Sequence, residues 1–256
     1  MLEVRREQIK ELLNGAGFVN VQELVNRFQV SSETIRRDLE CLEKEGFVRR
    51  IHGGAVSVRP HVSESAYTLR QQYHTPEKRA IASAAASLIE DGDTVLITPG
   101  TTTRLVASCL WERKNVTAVT NSLPVAMELA DCPDVEVFCL GGHLRRDDFS
   151  TSGITALDNL GIFNVGKLIV GVGGITPEGV TDYRMDESSL LRTFIDKVDC
   201  VIGLADHSKF GTVAVYNICP AGVLDHLITD SGTPEELLRP YRELGVKVHV
   251  VDPLEA

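Results

Sequence analysis

Seven short apolar runs, TVLIT, VTAVT, VEVFCL, KLIVGV, CVIGLA, HLIT and VKVHVV, alternate with helical segments from Asp93 onward. Runs of this length, rich in β-branched residues and closed by Gly, Thr, Asn or Asp, read as buried strands. Strands alternating with helices predict a mainly parallel sheet with helices packed on it, an α/β fold. Ligands in such folds bind outside the carboxyl ends of the strands, so the residues just after each run are the informative ones.

Four of those loops carry chemistry. TPGTTTRLVASCL sets Gly100, Thr101, Thr102 and Thr103 at the start of a helix, where backbone N–H groups, hydroxyls and the helix dipole favour a phosphate or carboxylate. TNSLPVAMELA offers Asn121 and Ser122 at the equivalent position. LGGHLRRDD supplies Gly141 and Gly142, then Arg145 and Arg146, and ADHSKFG supplies Asp206, His207, Ser208 and Lys209. Lys209 is a compact positive charge suited to a phosphate. Glycines and threonines after strands also serve simply to turn the chain and cap helices, so the signal lies in several such loops meeting along one sheet edge.

The first sixty residues follow another pattern. Ile9, Leu12 and Leu13 fall at helical spacing, and VQELVNRF places Val21, Leu24, Val25 and Phe28 at i, i+3, i+4 and i+7. Ser31 then reads as an N-cap with Glu33 in the first turn, Ile35, Leu39 and Leu42 form one stripe, and Gly46 closes the segment. Two short helices joined by about four residues predict a helix-turn-helix. With the apolar stripe inward, Ser32, Thr34, Arg36 and Arg37 lie on the flanks or outer face, where arginine can bind guanine edges or clamp phosphates in a major groove. FVRRIHGGAVSV reads as two short strands around a Gly53-Gly54 turn, a wing that brings Arg49, Arg50, His52 and Gly53 to a sugar-phosphate backbone.

Charge distribution agrees with a nucleic-acid partner at that end only. The formal net charge is −10 from 26 Lys+Arg and 36 Asp+Glu. Residues 1–60 hold 10 basic and 9 acidic side chains, net +1, which leaves 16 against 27, net −11, for the remainder. An acidic chain is compatible with DNA when one end has a local basic face. The six cysteines are scattered without C-x-x-C pairs or nearby histidines, which predicts neither a disulfide framework nor a metal site. No apolar run reaches the roughly 18 to 20 residues that a membrane span needs. MLEVRREQIK has no apolar signal core, so a cytoplasmic location without membrane contact is expected.

The stretch from RREQIKELL through VSSETIRRDLECLEKEGFVRRIHGGA resembles the N-terminal DNA-binding domain of the DeoR family of bacterial transcriptional regulators. The resemblance implies that Thr34, Arg36 and Arg37 belong to the recognition helix. DGDTVLITPGTTT, TNSLPVA, LGGHLR and DHSKFG resemble the same family's effector domain, itself similar to ribose-5-phosphate isomerase. That implies a phosphorylated sugar or sugar-alcohol effector, with Thr101, Thr102, Thr103 and Lys209 at the phosphate and Asn121, Gly141 and Gly142 along the rest of the ligand.

The expected organisation is a winged helix-turn-helix domain over 1–57, a linker over 58–76 carrying the coupling, and a larger α/β domain over 77–256 for effector binding and oligomerisation. One winged helix reads too few base pairs for genomic specificity, so a dimer or tetramer is expected. The alternative is a phosphosugar isomerase with an appended DNA-binding domain. Isomerisation needs a base beside C1–C2, and the loop GVGGITPEG lacks a carboxylate at its first positions; Asp182, Asp186 and Glu187 lie further along. The reading is therefore a non-enzymatic regulator with no catalytic residues, cofactor or metal, in which operator DNA and effector are the partners.

Overall fold

The computed structural model describes residues 5, 6, 8–10, 12, 13, 18–51, 53–57 and 67–254. The described residues between 5 and 13 are helical. They are followed by β1 (Phe18–Asn20), α1 (Val21–Phe28), α2 (Ser32–Lys44), β2 (Val48–Ile51) and β3 (Gly54–Ser57). Asn20 and Ser31 cap the two helices, their side-chain oxygens accepting from the Gln22 and Thr34 backbone N–H groups. Gln29, with φ 52°, turns the chain between them. The core of this region holds Ile9, Leu24, Ile35, Leu39, Leu42 and Val48, all essentially inaccessible to water. Truncating Leu42 to alanine there costs roughly 2–5 kcal/mol, a large part of a small domain's stability.

The wing is a three-stranded antiparallel sheet in the order β1-β3-β2. The β2-β3 hairpin agrees with the sequence reading, but its turn is not Gly53-Gly54: Gly54 already belongs to β3, paired with Ile51, and Gly53 sits between the strands at φ +82°. β1 is an addition: FVN is too short to be recognised by alternation, and it pairs Phe18 with Val56 and Asn20 with Gly54.

After α3 (Tyr67–Arg70) and α4 (Thr75–Ser87), the chain builds an α/β unit. Its elements are β4 (Thr94–Ile97), α5 (Thr101–Ser108), β5 (Val116–Thr120), α6 (Leu123–Ala130), β6 (Val135–Cys139), β7 (His143–Leu144), β8 (Thr151–Ser152) and α7 (Ile154–Leu160). They continue with β9 (Lys167–Gly171), β10 (Gly174–Thr176), β11 (Gly179–Asp182), α8 (Met185–Phe194), β12 (Cys200–Leu204), β13 (Tyr216–Cys219), β14 (His226–Asp230), α9 (Glu235–Glu243) and β15 (Lys247–Val251). All seven apolar runs are strands of one sheet, ordered β15-β14-β12-β9-β4-β5-β6, and every neighbouring pair is parallel.

Both faces of the central strands are covered, which is why those strands lack a polar side. In β4, Val95 and Ile97 point into one core with Ile81, Ala82 and Ala85 of α4, while Leu96 points into the other with Leu168 and Val170. From β4 the chain adds β5 and β6 on one side, and β9, β12, β14 and β15 extend the other. The gap between the loops leaving β4 and β9 is therefore a topological switch point, where an open α/β sheet has room for a ligand. A second sheet, β10-β11-β13, is antiparallel and escaped the sequence reading because GIT and GVTD are short and glycine-bearing.

Candidate functional site

Two polar surfaces stand out, one on the winged helix and one at the switch point. In α2, Ile35, Asp38, Leu39 and Leu42 face inward, so Ser32, Arg36 and Arg37 are exposed and Thr34 is half-buried. The inward aspartate anchors the recognition helix: Asp38 accepts from Arg5 Nε at 2.6 Å and Arg6 Nε at 2.9 Å. Among the described residues Arg37 makes only an exposed i,i+4 pair with Glu33 at 3.2 Å, an interaction easily exchanged for a phosphate or a base edge. Arg50 is more firmly held, because its backbone N–H and its Nε reach the two Glu43 carboxylate oxygens at 2.8 and 2.7 Å. Arg49 and Gly53 are exposed on the wing, and His52 lies outside the described residues. Glu236 and Leu237 of α9 form the opposite wall of a groove over Arg36, Arg49 and Arg50.

At the switch point a narrow crevice is lined by Pro99, Gly100, Thr101 and Thr102 after β4, by Gly171 at the end of β9 and Val172 after it, and by Leu204 at the end of β12 with Asp206 and Lys209 after it. Arg70, Lys78 and Asp182 complete it. The α5 N-terminus with no side-chain cap and the cations Lys209, Lys78 and Arg70, set against the carboxylates Asp182 and Asp206, give the crevice a lining whose composition favours an anion. Lys78 is 5% exposed and donates to the Arg70 and Tyr73 carbonyls at 2.5 and 2.7 Å. Burial lowers its pKa to about 8. Burial alone would raise the Asp206 pKa, but Lys209, His74, Lys78 and His207 together hold it well below the usual carboxylate range. Asp206 also accepts from the Ser208 backbone N–H at 3.0 Å and from the Ser208 hydroxyl, which fixes the shape of the loop.

Gly100, Thr101, Thr102, Asp206 and Lys209 thus meet in one wall, as the loops after parallel strands should. Thr103, Ser122, Gly141 and Gly142 stand apart from it. The Thr103 hydroxyl turns back to the Gly100 carbonyl at 3.1 Å, and Ser122 Oγ caps α6 by accepting from the Val125 N–H at 3.4 Å. Gly142, at φ +139°, passes so close to strand β8 that a Cβ would lie 2.4 Å from the Ser152 carbonyl oxygen, a backbone reason for glycine. Asn121 is fully buried and donates to the Thr151 carbonyl at 3.1 Å and to Glu187 Oε2 at 3.0 Å. Burial raises the Glu187 pKa to about 7, against the Asn121 hydrogen bond and with the help of Asp182. Neither Lys78 nor Arg70 was flagged by sequence reasoning, since an isolated cation in a helical segment gives no sign that the fold will bury it.

The Asp206–Lys209 loop has a second face. With Arg27, Phe18, Glu23 and Leu24 of the winged helix and with Tyr73, His74 and Tyr183 it walls a cavity of about 740 Å3 between the two regions. The loop's 3-10 turn, His207–Lys209, places the His207 ring edge-on to Phe18 and to His74, at centroid distances of 5.8 and 4.5 Å. His207 Nδ1 is 2.7 Å from Asp230 Oδ2, and its backbone N–H donates to Asp230 Oδ1 at 2.8 Å. Burial opposes charge on this imidazole, but the Asp230 hydrogen bond and the Asp230, Asp206 and Glu23 carboxylates push its pKa up to about 9. Among the described residues, Glu23, His74 and His207 bring ligand atoms within 4.8 Å of one another. A cation there would face Arg27, Arg70, Lys78 and Lys209, and His207 already forms an ion pair with Asp230, so the cluster is best read as a contact between the two regions. Gly211, just beyond, touches the wing: at φ +73°, a Cβ would lie 2.8 Å from Val56 Cγ1.

A winged helix with an exposed arginine face, docked against an α/β unit with an anion crevice at its switch point, is the build of a ligand-responsive DNA-binding transcription regulator. Comparison with known proteins agrees. Residues 5–61 match the model of the DeoR-like helix-turn-helix domain, and residues 73–231 match the DeoR C-terminal sensor domain. The chain belongs to the DeoR family. It is 34% identical over 245 residues to the HTH-type transcriptional repressor CsqR of Escherichia coli strain K12, covering 95% of this chain and 94% of that one. It is also 34% identical over 236 residues to the glycerol-3-phosphate regulon repressor of the same strain, covering 92% and 93%. Among solved structures, ribose 5-phosphate isomerase from Plasmodium falciparum aligns at a TM-score of 0.40 and 15% identity, over 54% of each chain. No described helix is long and apolar enough to cross a membrane.

Proposed function

We propose that this regulator is a cytoplasmic repressor of carbohydrate-metabolism genes that releases operator DNA when a phosphorylated sugar or sugar alcohol enters the switch-point crevice. The single observation that carries this reading is the double role of the Asp206–Lys209 loop. One side of it lines the crevice and the other lines the cavity beneath the winged helix. The phosphate takes the α5 N-terminus at Thr101 and Thr102 together with Lys209, whose charge also acts on the Asp206 carboxylate. Ser32, Thr34, Arg36 and Arg37 enter the major groove, and Arg49, Arg50 and the Gly53 turn approach the backbone. A ligand that repositions the loop changes the seat of Phe18, Glu23 and the wing, and so biases the DNA-competent arrangement.

The domain division falls at the 58–76 segment, the larger domain supplies the oligomer interface, and the bound sugar leaves chemically unchanged. Fluorescence anisotropy on DNA from upstream of the gene itself, at fixed and stated salt, tests the reading. A panel of phosphorylated sugars is titrated into the complex, and the released sugar is assayed for isomerisation. Release by a panel member that stays unchanged is the expected result. Conversion of the sugar at enzymatic rates would establish the isomerase alternative instead.

A further inference from the structure

Three buried polar atoms lack a hydrogen-bond partner among the described residues and belong to side chains that touch one another: Asn121 Oδ1, Arg145 Nη1 and Glu187 Oε1. Each side chain is held by its remaining atoms. Asn121 Nδ2 bonds the Thr151 carbonyl and Glu187 Oε2 at 3.1 and 3.0 Å. Arg145 is gripped by Asp148 at 2.7 Å and by the Ser150 hydroxyl at 2.9 Å, and its Nη2 lies 3.9 Å from Glu187 Oε2. Its Nη1 is 3.8 Å from the Asp186 carboxylate, too long for a hydrogen bond. Folding rarely leaves even one such atom unpaired, and three rigidly aimed ones in a single cluster call for an explanation.

None of the three residues lines the crevice itself, but two links connect the cluster to it. Asn121 follows β5, the neighbour of β4, whose own following residues Gly100 to Thr102 form the crevice wall. Asp182, another crevice residue, acts electrostatically on Glu187.

Resting on the phosphosugar reading above, we propose that Asn121, Arg145 and Glu187 form the subsite for the hydroxylated carbon chain of the ligand, beyond its phosphate. The available atoms define the chemistry. Arg145 Nη1 donates to a carbonyl, ring or hydroxyl oxygen. Asn121 Oδ1 accepts from a hydroxyl. Glu187 Oε1 accepts as a carboxylate or donates as an acid, since burial brings its pKa to about 7. The matching ligand therefore carries at least two oxygen functions near one another and a phosphate at its far end. A phosphate on a plain alkyl chain fills the anion site and leaves all three atoms unpaired. Discrimination of this kind is strong, because the site's own polar groups are stranded by the wrong ligand.

Isothermal titration calorimetry on the full-length protein tests this with three kinds of probe: four- to six-carbon sugar phosphates, butyl phosphate and inorganic phosphate. In the wild type the best sugar phosphate should bind at least roughly tenfold more tightly than butyl phosphate. Glu187→Gln should erase that advantage while inorganic phosphate binds as before, which also shows that the variant is folded. Should Glu187→Gln not fold, Arg145→Lys serves the same purpose, since it retains the charge and removes Nη1. If the sugar phosphate keeps its advantage in these variants, the subsite assignment is overturned and the phosphosugar reading stands. If no sugar phosphate binds the wild type more tightly than inorganic phosphate, both are overturned.

Discussion

Arg37 and Lys209 carry opposite ends of the account, and each can be removed without touching a core. Arg37 is exposed and, among the described residues, paired only with Glu33. Its replacement by alanine should weaken specific operator binding by roughly 1–3 kcal/mol in an anisotropy titration; a loss shared equally by non-operator DNA would make it a phosphate contact instead. Lys209→Ala should leave DNA affinity alone and shift the effector dose-response to higher concentration. An unaltered dose-response would take Lys209 out of the site. Gly211 answers a different question. Alanine there meets both the positive φ and Val56 Cγ1, so it should loosen the wing from its seat and speed amide hydrogen exchange in β3. Exchange rates identical to wild type would mean that Val56 has room to yield.

At the scale of the element, the Asp206–Lys209 turn is held by a charged imidazole, which gives it a pH dependence of known sign. The His207 pKa rises on folding from its ordinary value of 6.5 to about 9. Its contribution is fully present below the unfolded value and is lost as pH rises through about 9. The melting-temperature difference between wild type and His207→Gln should accordingly shrink from pH 7 to pH 10. Taking the difference also sets aside Lys78, whose lowered pKa contributes with the opposite slope. A difference that stays constant over this range would mean that His207 is held neutral.

The elements also show what the chain reveals before it folds. The seven parallel strands were legible as short β-branched apolar runs, the central ones because strands buried on both faces are apolar throughout, and α1 and α2 because their caps and stripes are local signals. The inward turn of Asp38 beside two outward arginines was not legible, since only the packing of the first helix supplies its partners Arg5 and Arg6. The crevice wall was read in part. Loop position gave Gly100, Thr101, Thr102, Asp206 and Lys209, but Lys78, Arg70 and the Asn121–Glu187 contact join residues far apart in sequence, through elements whose packing no local pattern encodes.

For the whole molecule, the issue is whether two sites on opposite sides of one loop share free energy. The sequence reading expects the coupling in the 58–76 linker, and the contacts of His207 with Phe18 and of Gly211 with Val56 are the basis on which we propose a second, direct route. Either route obeys the same linkage: whatever factor the ligand removes from DNA affinity, DNA must remove from ligand affinity. The most direct test is therefore calorimetric titration of the releasing sugar phosphate into the protein, free and saturated with operator duplex, at one salt concentration. The account predicts weaker sugar-phosphate binding to the DNA complex, by the same factor that the sugar weakens DNA binding. Equal affinity for the free and DNA-bound protein would contradict it, leaving a DNA-binding domain and an anion site that do not communicate.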